Sequence, residues 1–130
     1  MSELVLPDES YAIMGACFEV YKEMGCGFLE AVYQECLEYE LADRKIPFIS
    51  KPPLRLQFKN RQLKAFYQPD LICYERIVIE IKATATLADE HSAQVLNYLN
   101  ATKLPLGILV NFGHHPKLQY KRIALTSQAT

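Results

Sequence analysis

The sequence predicts an α/β fold, a mixed β-sheet flanked by helices in the order ααβββαββ. Three observations carry this. Up to about residue 44 the apolar residues recur at helical spacing. From Ile46 the period shortens to two and β-branched runs appear. Around residues 87–101 the helical spacing returns before a last pair of apolar runs. A length of 130 residues favours one domain, 1–130, and half of those residues are hydrophobic against 22% charged, enough for one core and unlike a disordered chain.

The first helix is expected over residues 8–24. Ile13, Ala16, Cys17, Val20 and Met24 form its apolar stripe, with Glu19, Lys22 and Glu23 off it. Gly25-Cys26-Gly27 breaks the helix. A second is expected over about 28–44, with Leu29, Val32, Tyr33, Cys36, Leu37 and Leu41 inward and a glutamate-rich outer face. So short a break makes the two helices fold back on or cross one another. Leu54, Leu56 and Phe58 alternate with Arg55, Gln57 and Lys59, the pattern of a half-buried strand whose start Pro52-Pro53 keeps irregular or at an edge. Lys59-Asn60-Arg61 reads as a turn into a second strand, which begins near Leu63 and carries Asp70. Val78–Ile81 is β-branched and central in character. Thr86 is the expected cap of the third helix, which ends before Pro105. Leu106–Phe112 is a buried strand stopped by Gly113, and Arg122–Leu125 the last.

The net charge of −1 conceals an uneven distribution. Residues 1–43 carry ten acids and one lysine, and residues 44–69 seven basic residues and no acid. Residues 70–90 sum to −3 and residues 91–130 to +4. One side of the protein can therefore meet a polyanion, although an acidic helical layer beside a basic sheet layer gives the same pattern. No apolar run reaches the ~20 residues of a membrane span, and the N-terminus lacks a basic start and apolar core, so no membrane partner or secretion signal is expected. Cys17, Cys26, Cys36 and Cys73 form no C-x-x-C pair. Reduced, mostly buried thiols in a cytoplasmic protein are expected, and a zinc site is not.

The stretch Tyr67–Ala83, YQPDLICYERIVIEIKA, is apolar enough for a sheet interior yet holds Asp70, Glu80 and Lys82. Glu80 and Lys82 are two apart on one strand and share a face, with Ile79 and Ile81 on the other. If Tyr74-Glu75-Arg76 is the turn, Asp70 lies opposite Glu80, with Cβ atoms ~4.5–5.5 Å apart. A two-residue turn would put them on opposite faces. Two carboxylates so placed repel and raise a carboxylate pKa, and a divalent cation removes the repulsion. Hard oxygen ligands, few in number, suit Mg²⁺. Lys82 beside it can orient or deprotonate a water and stabilise charge on a phosphate. The simpler alternative is a structural ion pair of Lys82 with Asp70 or Glu80, worth ~0–1 kcal/mol at the surface.

Pro69-Asp70, then Glu80-Ile81-Lys82, resembles the signature of the PD-(D/E)XK nuclease superfamily, with its restriction-endonuclease-like fold. Gly27-Phe28-Leu29-Glu30-Ala31-Val32-Tyr33 resembles the naming motif of its GxxExxY branch. His91–Tyr98 is similar to the QxxxY element of RecB-like nucleases. The resemblance implies that Asp70, Glu80 and the Ile81 carbonyl hold Mg²⁺ (or Mn²⁺) and that Lys82 serves the water. It implies that Glu30 approaches the metal directly or through water. Gln94 and Tyr98, on one helix face with His91 a turn earlier, would meet the active site and the nucleic acid strand. An acid in the first helical turn is also favoured by the helix dipole alone, ~0.3–1 kcal/mol, and Tyr98 and Tyr33 also suit packing. Gly27 frees the backbone before the helix.

The implied activity is Mg²⁺-dependent hydrolysis of phosphodiesters in DNA, with RNA second. Lys51, Arg55, Arg61, Lys64, Lys117, Lys121 and Arg122 would grip the backbone, and a homodimer or partner protein would help hold a duplex. The alternatives are a catalytically silent nucleic-acid-binding or protein-interaction module on a nuclease fold, and an enzyme of other phosphate chemistry at the same site.

Overall fold

The computed structural model describes residues 5–125. The elements are α1 (Pro7–Met24), α2 (Glu30–Asp43), β1 (Phe48–Ser50), β2 (Leu54–Phe58), β3 (Arg61–Tyr67), β4 (Leu71–Cys73), β5 (Ile77–Lys82), α3 (Asp89–Thr102), β6 (Leu106–Asn111) and β7 (Gln119–Ala124). The main sheet runs β1-β4-β5-β6-β7, and β2-β3 form a separate two-stranded sheet. Pairing is antiparallel except between β5 and β6, which α3 joins as a crossover.

Strand alternation builds two cores. Ile77, Ile79 and Ile81 of β5, with Ile108, Val110 and Leu71, pack under Ile13, Cys17, Val20, Tyr33, Leu37 and Leu41 of the first two helices. Val78 and Leu109 face the other way, against Val95 and Leu99 of α3, with Tyr67 and Ile72. Glu80 and Lys82 share this second face and are half-buried. At about 25 cal/mol per Å² of apolar surface, the first, larger core is the main hydrophobic contribution.

The α/β class is as predicted, but five strands rather than three precede α3. The expected strand from Leu63 through Asp70 is two. Gln68-Pro69-Asp70 carries the chain from the small sheet to the main one, and Pro69 has no N–H for a continuous ladder. The short β1 adds an edge. The second helix begins at Glu30, so Leu29 is its cap residue and is 79% exposed rather than inward. Thr86 does not cap α3. Its Oγ1 accepts from Gln119 Nε2 at 3.3 Å, while His91 Nδ1 accepts the Ala88 N–H at 3.1 Å at the helix start. Cys17 and Cys73 are buried and Cys36 half-buried, but Cys26 is exposed. Burial pushes the Cys73 thiol up to about 12 and that of Cys17 well above the ordinary range.

Candidate active site

The hairpin β4–β5 sets the geometry. Its pairs are Leu71↔Ile79, Ile72↔Val78 and Cys73↔Ile77. Tyr74-Glu75-Arg76 is the turn, closed by Arg76 N–H to Cys73 O at 3.1 Å, with positive φ at Tyr74 (56°) and Glu75 (62°). One step beyond Leu71↔Ile79, the register brings Asp70 across from Glu80, as the three-residue turn requires. Asp70 Oδ2 accepts the Ile81 N–H at 2.7 Å. Its own carbonyl accepts from Gln34 Nε2 at 2.9 Å and from the Lys51 N–H at 3.0 Å, and Lys51 Nζ lies 3.8 Å from Oδ1. Asp70 is thereby fastened to α2, to β5 and to the segment after β1.

Glu80 accepts a hydrogen bond from the Tyr67 hydroxyl on Oε2. Burial pushes its carboxyl up to about 7, opposed by the Tyr67 hydrogen bond, reinforced by Asp70 and opposed again by Lys82. Burial and Glu80 together hold the Tyr67 hydroxyl far above the usual tyrosine range, so it is neutral and donates. Its ring lies flat on Tyr98, centroids 3.6 Å apart and planes 7° from parallel.

The Ile81 carbonyl is set by the same ladder. Lys82 O accepts the Phe112 N–H at 2.9 Å, toward β6. Alternation turns Ile81 the other way, where its N–H meets Asp70. Its C=O therefore points to that side too, beyond the start of β4.

Two hollows flank the Asp70–Ile81 contact. One, about 250 Å³, is lined by Phe66, Tyr67, Glu80, Lys82, Gln94 and Tyr98. The other, about 380 Å³, is lined by Glu30, Gln34, Glu35, Glu38, Lys51 and Asp70. The structure thus collects Glu80, Lys82, Gln94 and Tyr98 on one side, and Asp70, Glu30 and Lys51 on the other. Glu30 opens α2 because Tyr33 pins the loop before it. The Tyr33 hydroxyl donates to Gly25 O at 2.5 Å and accepts the Phe28 N–H at 3.2 Å, while its ring stacks on Phe112 at 4.7 Å. Gly27 takes φ 114°, which its lack of a Cβ permits. The Gly27, Glu30 and Tyr33 spacing is thus a helix-entry device: a turn, the first helical acid and the bolt that holds both.

Other expected residues lie elsewhere. His91 spends Nδ1 on the helix start and lines neither hollow. Arg55 lines a third hollow, about 650 Å³, with Ile49, Leu54, Ile72 and Leu104. That space is mostly apolar and away from the carboxylates, so convergent polar groups and not size mark the site. Arg61 and Lys64 are exposed on β3, and Lys117 and Lys121 are exposed near and on β7. Arg122 donates to Val5 O beside α1 and is committed to the fold.

Tyr67 and Gln34 went unrecognised in the sequence. Tyr67 heads the Tyr67–Ala83 stretch, three residues before Asp70. Gln34 lies one helical turn after Glu30, a spacing that puts both on one face. Asn111, wholly buried, was also missed. Its Oδ1 accepts the Thr84 and Gly113 N–H groups, each at 3.0 Å, and its Nδ2 donates to Gln119 Oε1 at 3.0 Å. Gln119 Oε1 also accepts the Leu87 N–H at 2.9 Å. This network ties the β5–α3 connection to β6 and β7.

Among the described residues, no three His, Cys, Asp or Glu side chains converge as a metal cluster. The oxygens that could hold a cation are Asp70 Oδ1, Glu80 Oε1 and the Ile81 carbonyl, the rest coming from water. This donor set is hard and sparse; burial is the main cause that raises Glu80, and the added repulsion from Asp70 is the kind a divalent cation relieves.

A family model of the PD-(D/E)XK nuclease superfamily matches residues 7–123. A solved structure described as "Crystal structure of SSO0001" is similar, with a TM-score of 0.57 and 21% identity over 72% of this chain and 48% of that one. At that identity the likeness speaks for the fold alone, and this chain spans about half the length of that protein. A search of the curated proteins returns no match. The family match runs from the start of α1 into β7 and takes in the whole Asp70–Glu80–Lys82 hairpin; the chain belongs to the PD-(D/E)XK nuclease superfamily.

Proposed function

We propose that the protein is a Mg²⁺- or Mn²⁺-dependent nuclease that hydrolyses phosphodiester bonds in DNA, with RNA second, and that it falls in the GxxExxY branch. The observation that supports this reading is the register of the β4–β5 hairpin, which ends at Leu71↔Ile79 and, continued one step, runs Asp70 toward Glu80, with Lys82 two residues beyond on the same strand. The cation would rest on Asp70, Glu80 and the Ile81 carbonyl, with Glu30 reaching it through water. When bound, such an ion lowers the pKa of a water and neutralises charge on the phosphate. Lys82 orients the attacking water and donates to the phosphate oxygen on which charge develops. Gln94 and Tyr98, on adjacent turns of α3, steer the strand to Lys82.

Lys51 is the basic residue best placed to meet a phosphate next to Asp70. Arg55, Arg61 and Lys64, exposed on the small sheet, give a diffuse attraction for the polyanion. A homodimer or a protein partner would extend this small surface along a duplex. Among the described residues no helix is long and apolar enough to cross a membrane. Free thiols at four cysteines agree with a reducing, cytoplasmic setting.

The test is cleavage of labelled single- and double-stranded DNA and of RNA, with Mg²⁺, Mn²⁺ or EDTA. Wild type should cut only with a divalent cation, and Lys82→Ala should lose at least about 100-fold in rate, the scale of one electrostatic or acid–base group. Equal behaviour of the two proteins refutes the mechanism. The sparse side-chain donor set favours a second reading, a silent nucleic-acid-binding module. Mn²⁺ titration separates them, because the module takes up no cation through Asp70 and Glu80.

A further inference from the structure

Tyr67 closes the second face of the sheet and is only 5% exposed. Its ring belongs to the apolar cluster of Ile72, Val78, Val95, Leu99 and Leu109, and it borders the hollow it shares with Glu80, Lys82 and Gln94. A phenol hydroxyl in such surroundings needs a partner, and its partner is Glu80 Oε2. The ring cannot easily swing away, since it is stacked flat on Tyr98. Tyr67 also belongs to β3, on the sheet that is separate from the one carrying Glu80. The hydroxyl is therefore held by one sheet and one helix and applied to a carboxylate on another sheet.

We propose that Tyr67 is a positioning residue for Glu80: its hydroxyl occupies Oε2 and fixes the carboxylate so that Oε1 alone is presented to a divalent cation. Tyr98 braces the Tyr67 ring from α3. The inference rests on the proposed nuclease reading for the cation, but the positioning itself is a property of the metal-free protein. Partners that orient a metal ligand typically matter by 10–100-fold in metal affinity.

The experiment is calorimetric titration of the full chain with Mn²⁺, for wild type, Tyr67→Phe and Tyr98→Leu, without nucleic acid. Tyr67→Phe keeps the ring and its stack and removes only the hydroxyl. It should weaken Mn²⁺ at least about tenfold while thermal unfolding confirms that the fold is intact. Tyr98→Leu keeps the hydroxyl and loosens its support, so it should weaken Mn²⁺ by a smaller factor. Affinity in Tyr67→Phe equal to or tighter than wild type overturns the proposal. Crystal structures of metal-free wild type and Tyr67→Phe read the same point without a cation: a turned Glu80 side chain in the variant upholds the positioning, and an unmoved one overturns it. Should wild type bind no Mn²⁺, the nuclease reading fails, and these structures still decide the role of Tyr67.

Discussion

Replacing Glu80 by glutamine should stabilise the metal-free protein, and only above acidic pH. In the folded state burial, aided by Asp70, carries the Glu80 carboxyl from its usual 4.5 to about 7. Between those values the folded protein keeps a proton that the unfolded chain has lost. Stability therefore falls as pH rises through this window, and the cost is complete above about 7. At roughly 1.4 kcal/mol for each factor of ten, the full cost is about 3 kcal/mol, reduced to about 2–3 by the side chain's residual contact with water. Glutamine never ionises and keeps an oxygen to accept from Tyr67, so Glu80→Gln should match wild type near pH 4.5 and exceed it by about 2–3 kcal/mol at pH 8. Urea unfolding in EDTA at both pH values measures this. A difference that does not change with pH, or a less stable variant at pH 8, refutes the reasoning.

Gly113→Ala should lower stability by about 1–3 kcal/mol, because a Cβ there would stand 2.6 Å from backbone atoms of Ala83 and Thr84, which have no side-chain freedom to yield. Thermal unfolding measures the loss, and a shifted Lys82 in the variant's crystal structure would trace it to the end of β5. Asn111→Leu should cost about 2–4 kcal/mol. It strips the acceptor from Thr84 N–H and Gly113 N–H, and hydrogen exchange should speed up at those two amides. Lys103→Gly should raise the melting temperature by about 2–4 °C, since Lys103 holds a left-handed conformation (φ 67°) just past α3 that glycine adopts without strain.

The legibility of this chain followed the range of the forces involved. The three helices and β5 were readable because their burial is periodic along the sequence itself. The placement of Asp70 across from Glu80 was readable because it depends only on a turn of three residues between them. The split at Gln68–Asp70 was not, because residues 63–73 keep strand-like composition on both sides of the break, and Pro69 was its only local sign. Asn111 hid inside an apolar run, Leu106–Phe112, where its hydrogen-bond partners come from other segments. The same holds for Tyr67, whose hydroxyl meets a residue on another sheet. His91 was expected to meet the strand from its place a turn before Gln94 and Tyr98, and Arg122 from its charge, but His91 Nδ1 accepts at the start of α3 and Arg122 donates to Val5. Side chains that bond across the fold are where a linear reading runs out.

Asp70 is gripped at once by Gln34, by Lys51 and by Ile81, and Glu80 is steadied by a tyrosine that leans on Tyr98. A ribosome releasing this chain would deliver Gln34, Lys51 and Tyr67 ahead of the carboxylates they hold, but Glu80 would emerge before Tyr98, the brace of its tyrosine, exists. Until α3 and β6 have followed, Glu80 and Lys82 sit on an unfinished edge, without the wall that narrows their hollow. The hollow around Glu80 and Lys82 is thus complete only once α3 is in place. A truncation ending near Ala88 would retain the Asp70, Glu80 and Lys82 signature and lose the architecture that gives it meaning.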